Sequence, residues 1–165
     1  MKNKNSIFLF CTLAMLAFSA CNETDDSSSQ WQKDNQAAYD AIKNNSEWTF
    51  LDTGDGPSGV YYKDITDPET EIGHEYPLQT ASVITNYTGK YYNDQIFDSG
   101  TKTTFIVNGL VTGFSAALQN MRTGQKWEIC IPYYIGYGTT ATTAIPAYTT
   151  LFFEIELLQI NQYPK

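Results

Sequence analysis

One carboxylate in the sequence stands among aromatic residues without an obvious chemical partner. Asp98 directly follows Phe97 in the stretch YTGKYYNDQIFDS, residues 87–99, which Tyr87 opens. No base, metal ligand or nucleophile accompanies them. Hydrogen bonding and electrostatic stabilisation need no reactive group, and a carboxylate in an aromatic setting can supply both. The stretch therefore predicts a site that orients a ligand and stabilises charge, rather than one that forms a covalent bond.

The residue types that usually carry acid–base, metal or thiol chemistry are scarce. His74 is the only histidine, and we expect it in a solvated loop rather than as a base. The sequence contains no His, Cys, Asp and Glu cluster with the spacing of metal ligands, so we expect no metal and no cofactor. Cys130 lies in WEICIPYY, where apolar residues alternate along the chain, and is predicted at a strand position without chemistry.

The amino terminus has the pattern of a secretion signal. Lys2 and Lys4 precede the apolar run IFLFCTLAMLAF, which is shorter than the roughly 20 residues that a membrane-spanning helix needs. Ser19 and Ala20 before Cys21 resemble a bacterial lipobox, although Phe18 departs from its usual leucine-rich pattern. The sequence thus predicts a signal peptide over residues 1–20 and a lipid anchor at Cys21 that attaches the protein to a membrane. An ordinary cleaved signal with an incidental cysteine is the alternative.

Charge and cysteine content narrow the choice of partners. Removal of residues 1–20 takes away two lysines and no acids, so the formal net charge goes from −8 to −10. Nucleic acid is not an expected partner, because phosphate binding requires a basic face. If Cys21 is acylated, Cys130 has no cysteine to pair with, and no disulfide framework is available.

The segment after Cys21 has the composition of a spacer. Residues 22–30 read NETDDSSSQ, which is acidic and serine-rich and lacks the apolar area needed to fold. We therefore predict a lipid-anchored linker over residues 21–30. Its acidic residues resemble the export tag that sends some Gram-negative lipoproteins to the outer face of the outer membrane, and a plain flexible linker is the alternative. The predicted location is the cell envelope, with the protein lipid-anchored to the outer membrane and either periplasmic or surface-exposed.

The remaining chain predicts one helix at the start, several strands and a second short helix. WQKDNQAAYDAIKNN, residues 31–45, is rich in helix formers with Ala38 and Ile42 on one side. Gly113 to Met121 places apolar residues at helical spacing, with Thr112 available to cap its start and Gly124 to end it. Strand patterns separated by Gly, Pro and Asn/Asp turns are SGVYYKDI, QTASVITNYTG, TTFIVNG, QKWEICIP and TTLFFEIELLQI. This order predicts an α+β domain in which an antiparallel sheet covers one short helix.

Over residues 58–160 the sequence resembles the FKBP-type peptidyl-prolyl cis-trans isomerases. Five pieces match in order and spacing: SGVYYK, VITNYTGKYYNDQIFDS, FIVNGLVTGFSAALQNMRTGQKWEICIP, IGYG and AIPAYTTLFFEIELL. The resemblance implies a curved antiparallel sheet wrapped around one short helix, within a domain spanning residues 58–165. Residues 31–57 then form an N-terminal helix and lead-in.

The resemblance also implies a set of site residues. The catalytic positions would be Tyr87, Phe97, Asp98, Val111, Phe114, Tyr137 and Phe153, with Leu110 and Ile145 binding substrate. In this assignment the Val111 N–H holds a substrate carbonyl, aromatic rings surround the proline, and Tyr137 supplies a hydroxyl. Asp98 accepts hydrogen bonds that fix Tyr87 and faces the twisting amide.

The sequence departs from the family at three places. Phe114 stands where the family usually has a tryptophan, and Thr103 where it often has another aromatic residue. The loop TTATTA, residues 139–144, lacks the usual proline, glycine and histidine pattern. These changes bear on affinity and substrate preference rather than on the fold.

The expected function is isomerisation of Xaa-Pro bonds in exported proteins by a lipid-tethered enzyme whose partners are proline-containing polypeptides. We expect a monomer, because no long helical dimerisation segment is present. One alternative is a non-catalytic binding or chaperone module for proline-containing or unfolded segments. The other is an extracellular glycan-binding or adhesion lipoprotein that uses exposed tyrosines.

Overall fold

The computed structural model describes residues 23–54 and 57–161. The predicted signal peptide over residues 1–20 and the predicted lipidation site at Cys21 lie outside the described residues. The helices are α1 (Glu23–Lys43) and α2 (Thr112–Gln119). The strands are β1 (Thr49–Asp52), β2 (Pro57–Asp64), β3 (Ser82–Lys90), β4 (Ile96–Ile106), β5 (Lys126–Ile131) and β6 (Leu151–Asn161).

The strands form one antiparallel sheet in the order β1-β2-β5-β6-β3-β4. The alternating burial of β6, from Leu151 to Leu157, shows that every second side chain faces the core, as strand geometry requires. The long hairpin β3–β4 turns at Tyr91–Gln95, where Asp94 adopts a φ of 63°. The α+β architecture predicted from the sequence, a sheet wrapped around one short helix, is confirmed.

Helix α2 packs its apolar face onto the sheet. Phe114, Ala117, Leu118 and the following Met121 are all nearly or fully buried. Gly113 faces Ile131 of β5 so closely that a side chain at this position would collide with it. The helix therefore lies against β5 and carries Phe114 at its first turn.

Both predicted ends of α2 need correction. The residue before the helix is Val111, which is extended and caps no N–H with its side chain, and Thr112 is already helical. The helix ends at Gln119 with Asn120 as its cap. Gly124 has a left-handed φ of 89°, but it lies in the turn beyond the helix and donates its N–H to the Leu157 carbonyl.

Helix α1 begins earlier than its apolar pattern predicts. It starts at Glu23, so residues 23–30, predicted as a solvated linker, are helical. Polar side chains four apart support such a surface helix without an apolar face, as in the 2.7 Å hydrogen bond from Gln30 to Asp34. Strand β1 was not predicted either, because its four residues are too few to show a period.

None of the helices within residues 23–54 and 57–161 combines the length and apolar character that crossing a membrane requires.

Candidate active site

Five aromatic side chains from three strands and a helix touch one another in series. Their ring centroids are 5.5 Å apart for Phe97 and Phe153, 4.9 Å for Phe153 and Phe114, 6.0 Å for Phe114 and Phe105, and 5.2 Å for Phe105 and Tyr87. All four contacts are edge-to-face, the geometry that aromatic quadrupoles favour. We call these five residues the aromatic cup.

Asp98 links the two ends of this series, Tyr87 and Phe97. The Tyr87 hydroxyl donates a 2.9 Å hydrogen bond to Asp98 Oδ2, and Asp98 follows Phe97 directly in β4. The Ser99 N–H donates to the other carboxylate oxygen at 2.9 Å. Asp98 is exposed whereas Phe114 and Phe153 are 3% and 8% exposed, so the cup has an apolar floor and a polar rim.

The rim hydroxyl of Tyr87 is held in its protonated form. Burial raises the pKa of Tyr87 to about 12, with further contributions from its hydrogen bond to Asp98, the Asp98 charge and the neighbouring Tyr137. At neutral pH Tyr87 is therefore a fixed donor, and Asp98 is its acceptor.

The strand pairing explains why these side chains meet. Gly89 of β3 pairs with Phe153 on one side and with Asp98 on the other. A Cβ at Gly89 would lie 2.6 Å from the Phe97 ring and 2.7 Å from the Phe153 ring. Glycine here lets both rings rest on the strand backbone, so Gly89 shapes the cup.

The start of α2 supplies the remaining part of the site. Val111 lies immediately before the helix, and its carbonyl accepts the Ser115 N–H at 3.0 Å. Its own N–H has no hydrogen-bond acceptor among residues 23–54 and 57–161. Leu110 and Val111 are half-buried against the core that contains Phe114. A backbone donor is thus available one helical turn from the cup floor.

The segment after β5 places the last two predicted residues. Tyr137 is 43% exposed, and its electrostatic interaction with Tyr87 is the smallest of the causes that raise the pKa of Tyr87. Ile145 is 3% exposed and belongs to the hydrophobic core. The structure therefore brings Tyr87, Phe97, Asp98, Phe114 and Phe153 into direct contact. Tyr137 is exposed and has no ring contact or hydrogen bond with this group among the described residues, while Leu110, Val111 and Ile145 pack in or against the hydrophobic core.

Phe105 belongs to the cup and was missed in the sequence. The position of Thr103 indicated that an aromatic residue was lost, but Phe105 lies two residues further along β4 and contacts both Tyr87 and Phe114. Residues two apart in a strand share one face. The alternation in β4 was therefore the signal that could have found it.

The arrangement suits a ligand with an apolar ring and a peptide carbonyl. The cup places nearly buried aromatic rings beside a tyrosine hydroxyl and an exposed carboxylate that are hydrogen-bonded to each other. His74 is exposed. Within the described part of the chain, His, Cys, Asp and Glu side chains form no group of three that could hold a metal ion.

A sheet wrapped around a short helix, with an aromatic cup closed by a tyrosine and an aspartate, defines a protein of the FKBP-like α+β class. The family model for FKBP-type peptidyl-prolyl cis-trans isomerases matches residues 73–158. The chain belongs to this family.

Individual relatives agree with that assignment. The FKBP-type 22 kDa peptidyl-prolyl cis-trans isomerase of Escherichia coli is 40% identical over 108 residues, which cover 62% of this chain and 50% of that protein. The outer membrane protein MIP of Legionella longbeachae is 33% identical over 111 residues, covering 64% and 46%. The chain spans about half the length of these curated relatives.

A solved structure extends the likeness to the fold. The crystal structure of a peptidyl-prolyl cis-trans isomerase from Pseudomonas syringae pv. tomato superposes with a TM-score of 0.69 at 28% sequence identity. The superposition covers 82% of this chain and 96% of that one.

Proposed function

We propose that this chain is a peptidyl-prolyl cis-trans isomerase that accelerates rotation about Xaa-Pro bonds in exported proteins. The observation that carries the proposal is the aromatic cup with its Tyr87–Asp98 rim, in a chain of the FKBP family. A proline ring is the apolar group that this cup fits, and proline-containing polypeptides are the substrates.

The reaction needs stabilisation of a twisted amide rather than transfer of a proton. Loss of C–N resonance opposes rotation by roughly 18–20 kcal/mol, and an uncatalysed prolyl bond rotates in about 10–100 s. The planar amide has the greater charge separation and is better stabilised by water. An apolar cup that removes this water favours the twisted state, and each ~1.4 kcal/mol gained raises the rate tenfold.

The residues take distinct roles in this scheme. The Val111 N–H holds a substrate carbonyl, and the rings of Phe97, Phe114 and Phe153 enclose the proline. Tyr137 donates its hydroxyl to the bound chain. Asp98 fixes Tyr87 and presents its charge to the polarised carbonyl carbon, so its contribution is electrostatic and positional.

The direct test is an isomerase assay on the chain lacking residues 1–21. With an Ala-Phe-Pro peptide we expect turnover by the wild type and slower isomerisation by Asp98→Ala and Tyr137→Phe, with both variants folded. Asp94→Asn and Asp98→Asn form a matched pair, because both remove one exposed charge from the β3–β4 hairpin and only Asp98 bonds Tyr87. Wild-type rates in Asp98→Ala and Tyr137→Phe would contradict the proposed site.

A second function has one observation in its favour. Phe114 occupies the floor position where the family usually has tryptophan, and it lacks the indole N–H and some of the area. A cup altered in this way can grip proline-containing or unfolded segments as a non-catalytic chaperone module. NMR exchange measurements separate the two functions, since tight peptide binding without faster cis-trans exchange would favour the module.

We further propose that the protein is a monomer anchored in the cell envelope through an acylated Cys21. The sequence signal supports this, and one relative is named an outer membrane protein. Labelled palmitate should enter the wild-type protein and not Cys21→Ala, and only the wild type should sediment with membranes. Equal membrane association of the wild type and Cys21→Ala would contradict the lipid anchor. Analytical sedimentation of the chain lacking residues 1–21 tests whether the protein is a monomer.

A further inference from the structure

Helix α1 docks beside the aromatic cup through Trp31. The Trp31 ring makes edge contacts with Tyr91 and Tyr92, with centroids 5.4 Å and 5.3 Å away. Its indole N–H donates a 3.1 Å hydrogen bond to Thr149 Oγ1. Trp31 therefore packs against the tip of the β3–β4 hairpin and against the segment that leads into β6.

Tyr91 connects this helix to the wall of the cup. Its ring lies 5.1 Å from that of Phe97, and its hydroxyl donates a hydrogen bond to the carbonyl of Ala144. Ala144 ends the loop of residues 139–144 and is followed by the buried Ile145. One side chain thus contacts α1, a cup residue and the loop of residues 139–144.

The helix is fixed firmly enough to act as a support. Asn35 is fully buried, its side-chain oxygen accepts the Thr150 N–H at 2.8 Å, and its carbonyl accepts the Thr150 hydroxyl at 3.0 Å. Asp34 accepts a 3.1 Å hydrogen bond from Tyr92, and Tyr39 donates one of 2.8 Å to the Gly59 carbonyl. Contacts along three turns of α1 hold Trp31 in place.

We propose that Trp31 and Tyr91 are positioning residues of the isomerase site, through which α1 holds Phe97 and the Ala144–Ile145 segment in place. The inference rests on the proposed function and adds a residue-level role for a helix outside the segment that matches the family model. Neither residue touches the substrate. Tyr91 restricts the Phe97 ring, and Trp31 restricts Tyr91.

Steady-state kinetics can distinguish an effect of these residues on substrate binding from an effect on folding stability alone. Trp31→Ala loosens Phe97 through Tyr91, whereas Tyr91→Phe keeps the ring against Phe97 and loosens Ile145 by removing the hydrogen bond to the Ala144 carbonyl. Either change weakens the grip on the substrate and leaves the rim groups in place. We therefore expect Trp31→Ala and Tyr91→Phe to raise KM about three- to tenfold, the size that the loss of an aromatic or hydrogen-bonded contact produces, with kcat little changed. Trp31→Phe keeps a ring against Tyr91 and should restore most of the KM.

The chain offers matched controls. Tyr92→Phe makes the same chemical change next to Tyr91, but it removes only the hydrogen bond to Asp34. Tyr39→Phe weakens α1 docking at its other end and has no contact with the cup. Both controls should keep the wild-type KM even where they lower the melting temperature. An equal rise of KM in either control, or an unchanged KM in Trp31→Ala, would overturn the proposal.

An activity-independent measurement keeps this inference distinct from the proposed function. Hydrogen exchange of the Ile145 amide, which bonds Thr142 Oγ1 in the same loop, reports how well the loop is held. We expect faster exchange in Tyr91→Phe and Trp31→Ala than in Tyr92→Phe. Absence of turnover in the wild type would contradict the proposed isomerase function but not the positioning role of α1. Unchanged Ile145 exchange in both Tyr91→Phe and Trp31→Ala would refute the role of α1, whether or not the protein is active.

Discussion

At the scale of single residues, the hydroxyl of Tyr87 marks the point where the apolar lining of the cup meets its polar rim. The ring contacts Phe105, and the hydroxyl bonds Asp98. In the proposed function the same side chain serves both the exclusion of water and the placement of charge. Neither task requires a group that changes its protonation state during a reaction.

The raised pKa of Tyr87 gives a prediction about alkaline pH. Its folded-state pKa of about 12 lies above the ordinary value of 10.0, so the stabilisation it contributes is complete below pH 10 and is lost as the pH rises towards 12. NMR titration of the Tyr87 ring should show this late ionisation. In Asp98→Asn the pKa should fall only part of the way, because burial is the largest cause. Ionisation of Tyr87 near pH 10 would contradict the geometry of the rim.

Gly89 gives a prediction about shape. Gly89→Ala places a methyl group against the Phe97 and Phe153 rings. Overpacking of this kind should reduce the free energy of unfolding by about 1–3 kcal/mol, and displacement of the rings should reduce isomerase activity about ten- to hundredfold. Urea unfolding and the peptide assay measure the two effects. Gly109→Ala is the control, because nothing lies within 4 Å of that position, and an equal effect of both substitutions would refute the explanation.

At the scale of elements, the docking of α1 depends on one buried amide. Asn35→Ala leaves the Thr150 N–H without its acceptor in a buried place, which should reduce the free energy of unfolding by about 1–3 kcal/mol. Chemical denaturation measures this loss. Gln36→Ala changes the neighbouring, exposed residue of the same helix and should have a much smaller effect. Similar losses in both variants would show that Asn35 contributes only helix propensity.

The sequence predicted the elements that have strong periodicity and failed where tertiary contacts decide. Strands β2, β3, β5 and β6 and helix α2 follow from alternation and from the spacing of Phe114, Ala117 and Leu118. For β4 the pattern TTFIVNG predicts only its end, since the strand already begins at Ile96 and residues 107–109 form a 3-10 helix. The early start of α1 and the short strand β1 could not be predicted in this way, because neither segment has a hydrophobic periodicity. In the site, family motifs located Tyr87 and Asp98. The contribution of Phe105 depends on the face of β4 that meets α2, and that of Tyr91 depends on a helix distant in sequence.

At the scale of the whole molecule, Cys130 reports on global unfolding. It is fully buried in β5, and burial raises the pKa of its thiol well above the ordinary range. In the chain lacking residues 1–21, which has no other cysteine, a thiol reagent should react at a rate set by complete unfolding. Its denaturant dependence should match that of the far-UV circular dichroism transition. Fast labelling without denaturant would show that the β2–β5 region opens on its own.

The place of β6 in the sheet has a consequence for the way the molecule is assembled as it is made. This strand lies between β5 and β3, so it joins β1-β2-β5 to the β3–β4 hairpin, and it follows all the other strands along the chain. A nascent chain that has emerged only as far as residue 150 lacks the strand that joins these two parts of the sheet. Phe153 arrives in the same strand. Closure of the sheet and completion of the cup are therefore one event, and a ribosome-bound intermediate has neither.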